Sequence, residues 1–379
     1  MQSANRPETR LATRLAFLVA GFGLACWAPL VPFAKQRLDV DDGMLGALLL
    51  CLGIGSVVAM LATGMLSARY GSKPIIIVAG LGLAVTLPFL TVANTPLLLA
   101  ITLALFGASL GSLDVAMNIH AVEVEKDAPK PLMSGFHALF SIGGFAGALL
   151  VTALLSLKVE PLATTLLCTL VMIVAMLLAW PRLLAALPAD DAPLFVVPRG
   201  IVILLSVLAA ITFLVEGAVL DWSALLLTGE GHVEASQGGL GYMVFAIAMT
   251  IGRLFGDSIT TRFGDRATVF WGGILAVAGF AVLLLSPATI LAMSGFLLIG
   301  FGASNIVPVL FRKAGSQTVM PTGLAVAAIT TTGYAGVLVG PAGVGFVANH
   351  TGLPISFWML AAMLCLVPAC AGIVTRKES

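Results

Sequence analysis

Arg69-Tyr70-Gly71 and Arg262-Phe263-Gly264, 193 residues apart, are two versions of one short basic turn. Phe106-Gly107-Ala108-Ser109 returns in the same way as Phe301-Gly302-Ala303-Ser304, at an offset of 195. Two matches in the same order, at offsets close to half of the 379 residues, mark a unit that was duplicated and fused. In an apolar chain such a duplication predicts two similar halves facing a central cavity, as in transporters.

The chain is apolar throughout. Apolar residues make up 59% of it and charged residues 10%, against about 25% charged in a typical soluble domain. A water-soluble fold of this length has no room to hide so much apolar side chain, so the lipid bilayer is the first expected partner. A net charge of +1, with basic residues scattered through short loops, excludes nucleic acid as a partner. Cys26, Cys51, Cys168, Cys365 and Cys370 lie in apolar stretches and match no zinc or haem spacing; their odd number argues against a disulfide framework. No phosphate-binding loop, nucleophile elbow or HExxH is present, and the four histidines are scattered. The expectation is a protein that is not an enzyme and carries no cofactor or metal.

Uncharged runs give the spans. Leu15 to Ala34 is long enough to cross a bilayer and too long for the core of a signal peptide. Further runs cover 43–68, 131–157, 161–181 and 235–252. Three longer runs, 74–113, 267–311 and 314–375, divide at Asn94-Thr95-Pro96, at Ser286-Pro287 and at Asn349-His350-Thr351-Gly352. The segment 200–228 is a further span despite Glu216 and Asp221. The reading is an all-α membrane protein of twelve helices in two pseudo-symmetric six-helix bundles, 1–183 and 200–379, joined by a linker over 184–199. Starting from an inside N-terminus places fifteen of the nineteen Lys and Arg residues on the cytoplasmic side, so both termini are expected there.

This arrangement, with Gly64-Met65-Leu66-Ser67-Ala68-Arg69-Tyr70-Gly71-Ser72-Lys73 between the second and third helices, resembles the major facilitator superfamily. Ala68, and Thr261 in the second half, depart from it, because the family usually has Asp there. Asp114-Val-Ala-Met-Asn118, Phe136-His-Ala-Leu-Phe-Ser-Ile-Gly-Gly144, Glu216-Gly-Ala-Val-Leu-Asp-Trp-Ser223 and Gly333-Tyr-Ala-Gly336 followed by Gly340-Pro341 are similar to its YbjJ-like branch, akin to fucose permeases and rhizopine-transport proteins. The resemblance implies alternating access, and a cytoplasmic gate at Arg69, Lys73 and Arg262. It also implies a bacterial inner-membrane location and a monomer.

Ionisable side chains within spans are costly and mark candidate sites. Glu216 is the sharpest, about 24 Å along its helix from Gly200; it reads either as a proton or solute site or as a protonated acid bonded to a neighbouring helix. Asp114 and Asn118 share one helix face, for transport or for structure. Asp221 and Trp222 lie at the outer end of the same helix as Glu216; Trp222 and Trp27 read as solute platforms or interface anchors. Asn305 with Pro308, and Tyr334 with its glycines, predict polar, kinked cavity walls. His137 is a gate or capping residue, and Arg253 with Asp257 an intrahelical gate pair. His120, Glu123, Glu125, Lys126 and Asp127 read as gate or solvated-end residues.

These groups predict a secondary transporter for a small polar, sugar-like solute, driven by a proton gradient. Efflux of an amphipathic metabolite or drug, and a non-transporting receptor or scaffold on the same fold, are the alternative readings.

Overall fold

The computed structural model describes residues 6–40, 42–185, 197–231, 233 and 239–376. Most of the expected linker, including Pro188, Asp190, Asp191 and Pro193, lies outside the described residues. Among the described residues every regular element is helical. Eleven helical stretches among the described residues are long and apolar enough to cross a bilayer. One of them, α9 (Leu240–Leu285), has 46 residues, about 69 Å at 1.5 Å per residue and more than twice the hydrocarbon thickness of about 30 Å. It bends at Gly264, whose φ of 80° and ψ of 163° are not helical.

The chain packs as two compact units. The first comprises Met1–Ala128, Phe136–Val197 and Pro321–Ala327. It contains α1 (Pro7–Trp27), α2 (Val31–Leu38), α3 (Asp42–Tyr70), α4 (Ser72–Val92), α5 (Pro96–Lys126), most of α6 (Met133–Ser156) and α7 (Pro161–Ala179). Gly71, at φ 79°, turns the chain from α3 into α4, a conformation in which a Cβ is strained. Thr95 starts α5 by accepting the Leu98 N–H through its hydroxyl, with Pro96 at the first helical position. Pro29 and Pro32 break the first span into α1, a 3-10 turn and α2. Arg37 at the end of α2 then donates to the carbonyls of Leu90, Thr91 and Ala93, where α4 runs out of internal partners.

The second unit comprises Pro129–Gly135, Pro198–Met320 and Ala328–Ser379. It contains α8 (Ile201–Gly229), α9, α10 (Thr289–Ala303), α11 (Ile306–Ser316), most of α12 (Thr322–Thr351), α13 (Leu353–Leu364) and α14 (Leu366–Val374). The break between α10 and α11 falls at Ser304 and Asn305, three residues before Pro308, which lacks the N–H that a continuing helix needs. The kink expected at Asn305 and Pro308 is there.

Helix packing sets the register of the repeat. A Cβ on Gly107 of α5 would run into the Leu52 carbonyl of α3, and one on Gly300 of α10 into the Phe245 carbonyl of α9. Both residues of the first contact are 193 positions before those of the second. The turn glycines Gly71 and Gly264 differ by the same 193 and share the same positive φ. The tetrapeptide match at 195 is therefore displaced by two residues from the structural equivalence. Gly302 instead faces Gly272 and Ala276. Close backbone approach selects the small positions, and small residues recur along these helices often enough for their letters to match out of register.

Candidate functional site

Glu216 of α8 and Arg253 of α9 form an ion pair at 3.6 Å, with side-chain exposures of 30% and 7%. The guanidinium is enclosed while the carboxylate keeps an open side. Two ionisable groups in apolar spans pair because either one alone would carry a heavy desolvation penalty.

One turn along α9, Gly256 leaves space that the Asn305 side chain enters. The Asn305 amide donates to the Gly252 carbonyl at 3.0 Å and to the Ser304 hydroxyl at 2.9 Å. The broken α10–α11 connection is thereby tied to the helix carrying Arg253. The Asp257 carboxylate accepts the backbone N–H groups of Ser134 and Gly135, at 3.0 and 2.9 Å, where α6 begins. Those donors have no partner within their own helix, and a negative charge suits that end of the helix dipole. Within one unit, four sequence candidates, Glu216, Arg253, Asp257 and Asn305, thus lie on α9 or bond to it.

Asp221 is exposed, and Trp222 is half-buried with its ring against Gly345 of α12. Tyr334 is half-buried on α12, where Gly333 meets the Phe213 ring and Gly336 the Ala210 carbonyl. Arg262 stacks over Phe263 at 5.4 Å.

In the first unit the Asn118 amide donates to the Asp114 carbonyl at 2.9 Å and to its carboxylate at 3.3 Å. Both side chains are buried, so the pair is knit within α5. Trp27 is buried, and His137 packs edge-on against Phe17 with ring centres 5.2 Å apart. Arg69 stacks over Tyr70 at 5.4 Å, and Lys73 is half-buried at the start of α4. His120 corrects the expectation of a solvated end: it is fully buried. Its Nε2 accepts the Leu184 N–H at 3.0 Å and its Nδ1 lies 3.2 Å from the Thr13 hydroxyl. With Nε2 accepting, the proton of the neutral ring sits on Nδ1 and is donated to Thr13, which donates in turn to the Thr9 carbonyl. A neutral ring placed in this way serves as a structural joint.

Tyr242 of α9 was missed in the sequence. It lies within electrostatic reach of Glu216, Arg253 and Asp221. Its signal was its place eleven residues before Arg253, three helical turns and hence the same face. Among the described residues no group of His, Cys, Asp and Glu side chains is placed to hold a metal ion.

The comparisons with known proteins agree on the kind of molecule. The family model of the Major Facilitator Superfamily matches residues 14–318. An uncharacterized MFS-type transporter of Yersinia pestis is 49% identical over 379 residues, covering 99% of this chain and 98% of that protein. Membrane protein MosC of Rhizobium meliloti is 30% identical over 367 residues, covering 96% and 89%. Among solved structures, the E. coli fucose:proton symporter FucP superimposes with a TM-score of 0.78 at 16% identity, covering 99% of this chain and all of that one.

Proposed function

We propose a transport function for this chain, which belongs to the Major Facilitator Superfamily: it carries a small polar, sugar-like solute across the bacterial inner membrane by alternating access, coupled to protons. The observation that carries this reading is the Glu216–Arg253 pair, one partner enclosed and the other open. The topology that goes with it counts α9 as two spans meeting at Gly264, which makes twelve, with both termini cytoplasmic as the basic residues require.

The pair couples proton and solute through charge balance. Ionised Glu216 neutralises Arg253, and the site is closed on itself. When Glu216 takes a proton, the guanidinium loses this ion pair and can take another oxygen acceptor in its place. A solute rich in hydroxyl or carbonyl oxygens supplies it, so proton and solute bind best together. Asn305 and Tyr242 add hydrogen-bonding groups beside the pair, and the Asp257 contact with Ser134 and Gly135 is the gate that the cycle must open. The solved structure of a fucose:proton symporter with the same fold supports this class of mechanism.

Purified protein in vesicles tests the reading. With Glu216→Gln, uptake driven by a pH gradient is expected to stop while solute exchange at equal pH persists. Unchanged gradient-driven uptake would overturn the role of Glu216.

A further inference from the structure

The duplicated turns take part in a second feature that transport does not absorb. In the first unit a groove of about 630 Å³ runs between α3, α4 and α5, with Tyr70, Val78, Gly82 and Ala108 in its lining. In the second unit a groove of about 420 Å³ runs between α9 and α10, with Phe263, Trp271, Leu275 and Phe301 in its lining. These four residues are the first four moved by 193 positions. The two grooves are one site, present twice.

Both open sideways. Val78 is 72% exposed and Tyr70 51%, while Trp271 is 65% exposed and Phe263 61%. In a chain of apolar spans that surface meets acyl chains rather than water. The floors are built of small residues, Ala79, Gly82 and Ser109 in one and Gly272, Gly302 and Ser304 in the other. At one end each groove is closed by an aromatic ring with a guanidinium over it at 5.4 Å, Arg69 on Tyr70 and Arg262 on Phe263. A second base follows four residues on in each, Lys73 and Arg266. The neighbouring acid of the second copy, Asp265, is already engaged by Arg312 and Lys313.

We propose that each groove holds one anionic phospholipid, an acyl chain along the small-residue floor and the phosphate on the arginine at the aromatic end. Lipid tails gain no hydrophobic free energy by leaving the bilayer for the groove, so packing holds the tail and the charged end selects the lipid. In the orientation proposed above, the headgroup belongs to the inner leaflet. The site does not depend on which solute is carried, or on whether any is.

Native mass spectrometry of the purified protein, given equal dioleoyl-phosphatidylglycerol and dioleoyl-phosphatidylcholine, tests it. Two phosphatidylglycerols are expected to be retained. Ser109→Phe, filling the first groove, removes one of them; Ala267→Phe, in the lining of the second, removes the other. Arg69→Gln and Arg262→Gln keep the grooves open and each lower the preference for phosphatidylglycerol about fivefold at its own groove. Retention of both lipids in the doubly filled variant, or equal retention of the two lipid types by the unaltered protein, overturns the proposal. The arginine variants keep the test decisive should a filled groove prevent folding.

Discussion

The two units share a frame and differ in what fills it, position by position at the 193-residue offset. Arg253 stands where the first unit has buried Met60, and Glu216 where it has Gly23 packed against Leu83. Asp257 of α9, which accepts from the first turn of α6, stands where Gly64 lies close to Ala327. Gly256 and Asn305 replace Thr63 and Ser112, whose hydroxyls bond to each other at 3.0 Å. Turns and close backbone contacts recur because a helix pair can approach in few ways. The Glu216–Arg253 pair has no counterpart at the equivalent positions of the first unit, because a single ion pair in an apolar span must be enclosed, partnered and reachable, and the duplicated fold supplies the scaffold for that without supplying the partner.

The largest expected effect comes from breaking the asymmetry by half. Glu216→Ala removes the ion pair of the enclosed Arg253 and is expected to cost about 3 kcal/mol of stability. Adding Arg253→Met, which copies the first unit, is expected to restore most of that loss while leaving transport abolished. Thermal unfolding in detergent, together with vesicle uptake, reads both. A double variant no more stable than the single one would mean that the pair is not the partner interaction described.

Steric exchange comes next. Gly256→Thr pushes Asn305 out of its space and is expected to cost about 2 kcal/mol. Combined with Asn305→Ser it rebuilds the Thr63–Ser112 pair of the first unit, and about half of the loss should return. Independent, additive costs would show that the two positions do not share one space.

Copying Gly64 into the second unit is milder. Asp257→Gly removes the acceptor for two backbone N–H groups and the charge at the start of α6, worth about 1–2 kcal/mol. Hydrogen exchange at Ser134 and Gly135 should quicken while that at the Leu98 amide stays unchanged. Equal protection at Ser134 and Gly135 before and after would remove Asp257 from the gate.

The smallest effect tests the shared frame. Gly71→Ala and Gly264→Ala place a Cβ in the same positive-φ turn and should each cost about 1 kcal/mol, equally in both units. Unequal costs would show that the two turns bear different loads.

Much of this was legible in the residues. Apolar runs gave the spans, Gly71 and Gly264 announced the two turns, and Asn305 with Pro308 announced the broken helix. Glu216, Asp114 and Arg253 stood out because ionisable side chains rarely enter apolar helices. The partners were less legible. Spacing pointed from Arg253 to Asp257, four residues away, and gave no sign of the pair with Glu216, on another helix 37 positions earlier. His120 sits among charges in sequence and was read as a gate or solvated-end residue, yet the fold encloses it between Thr13 and Leu184. The tetrapeptide repeat gave the duplication correctly and its register two residues out.

The sequence by itself determined that this protein is a helical membrane protein with a duplicated frame, and which of its residues are too polar to be lipid-facing filler. Those properties are local, carried by composition, periodicity and the conformational limits of glycine and proline. Tertiary structure decided which polar groups meet, which glycines face which carbonyls, and that the repeated turns close two lateral grooves. Such pairings depend on how helices distant in sequence cross, and in an apolar chain their interfaces are built of small residues whose letters differ too little to name their partners.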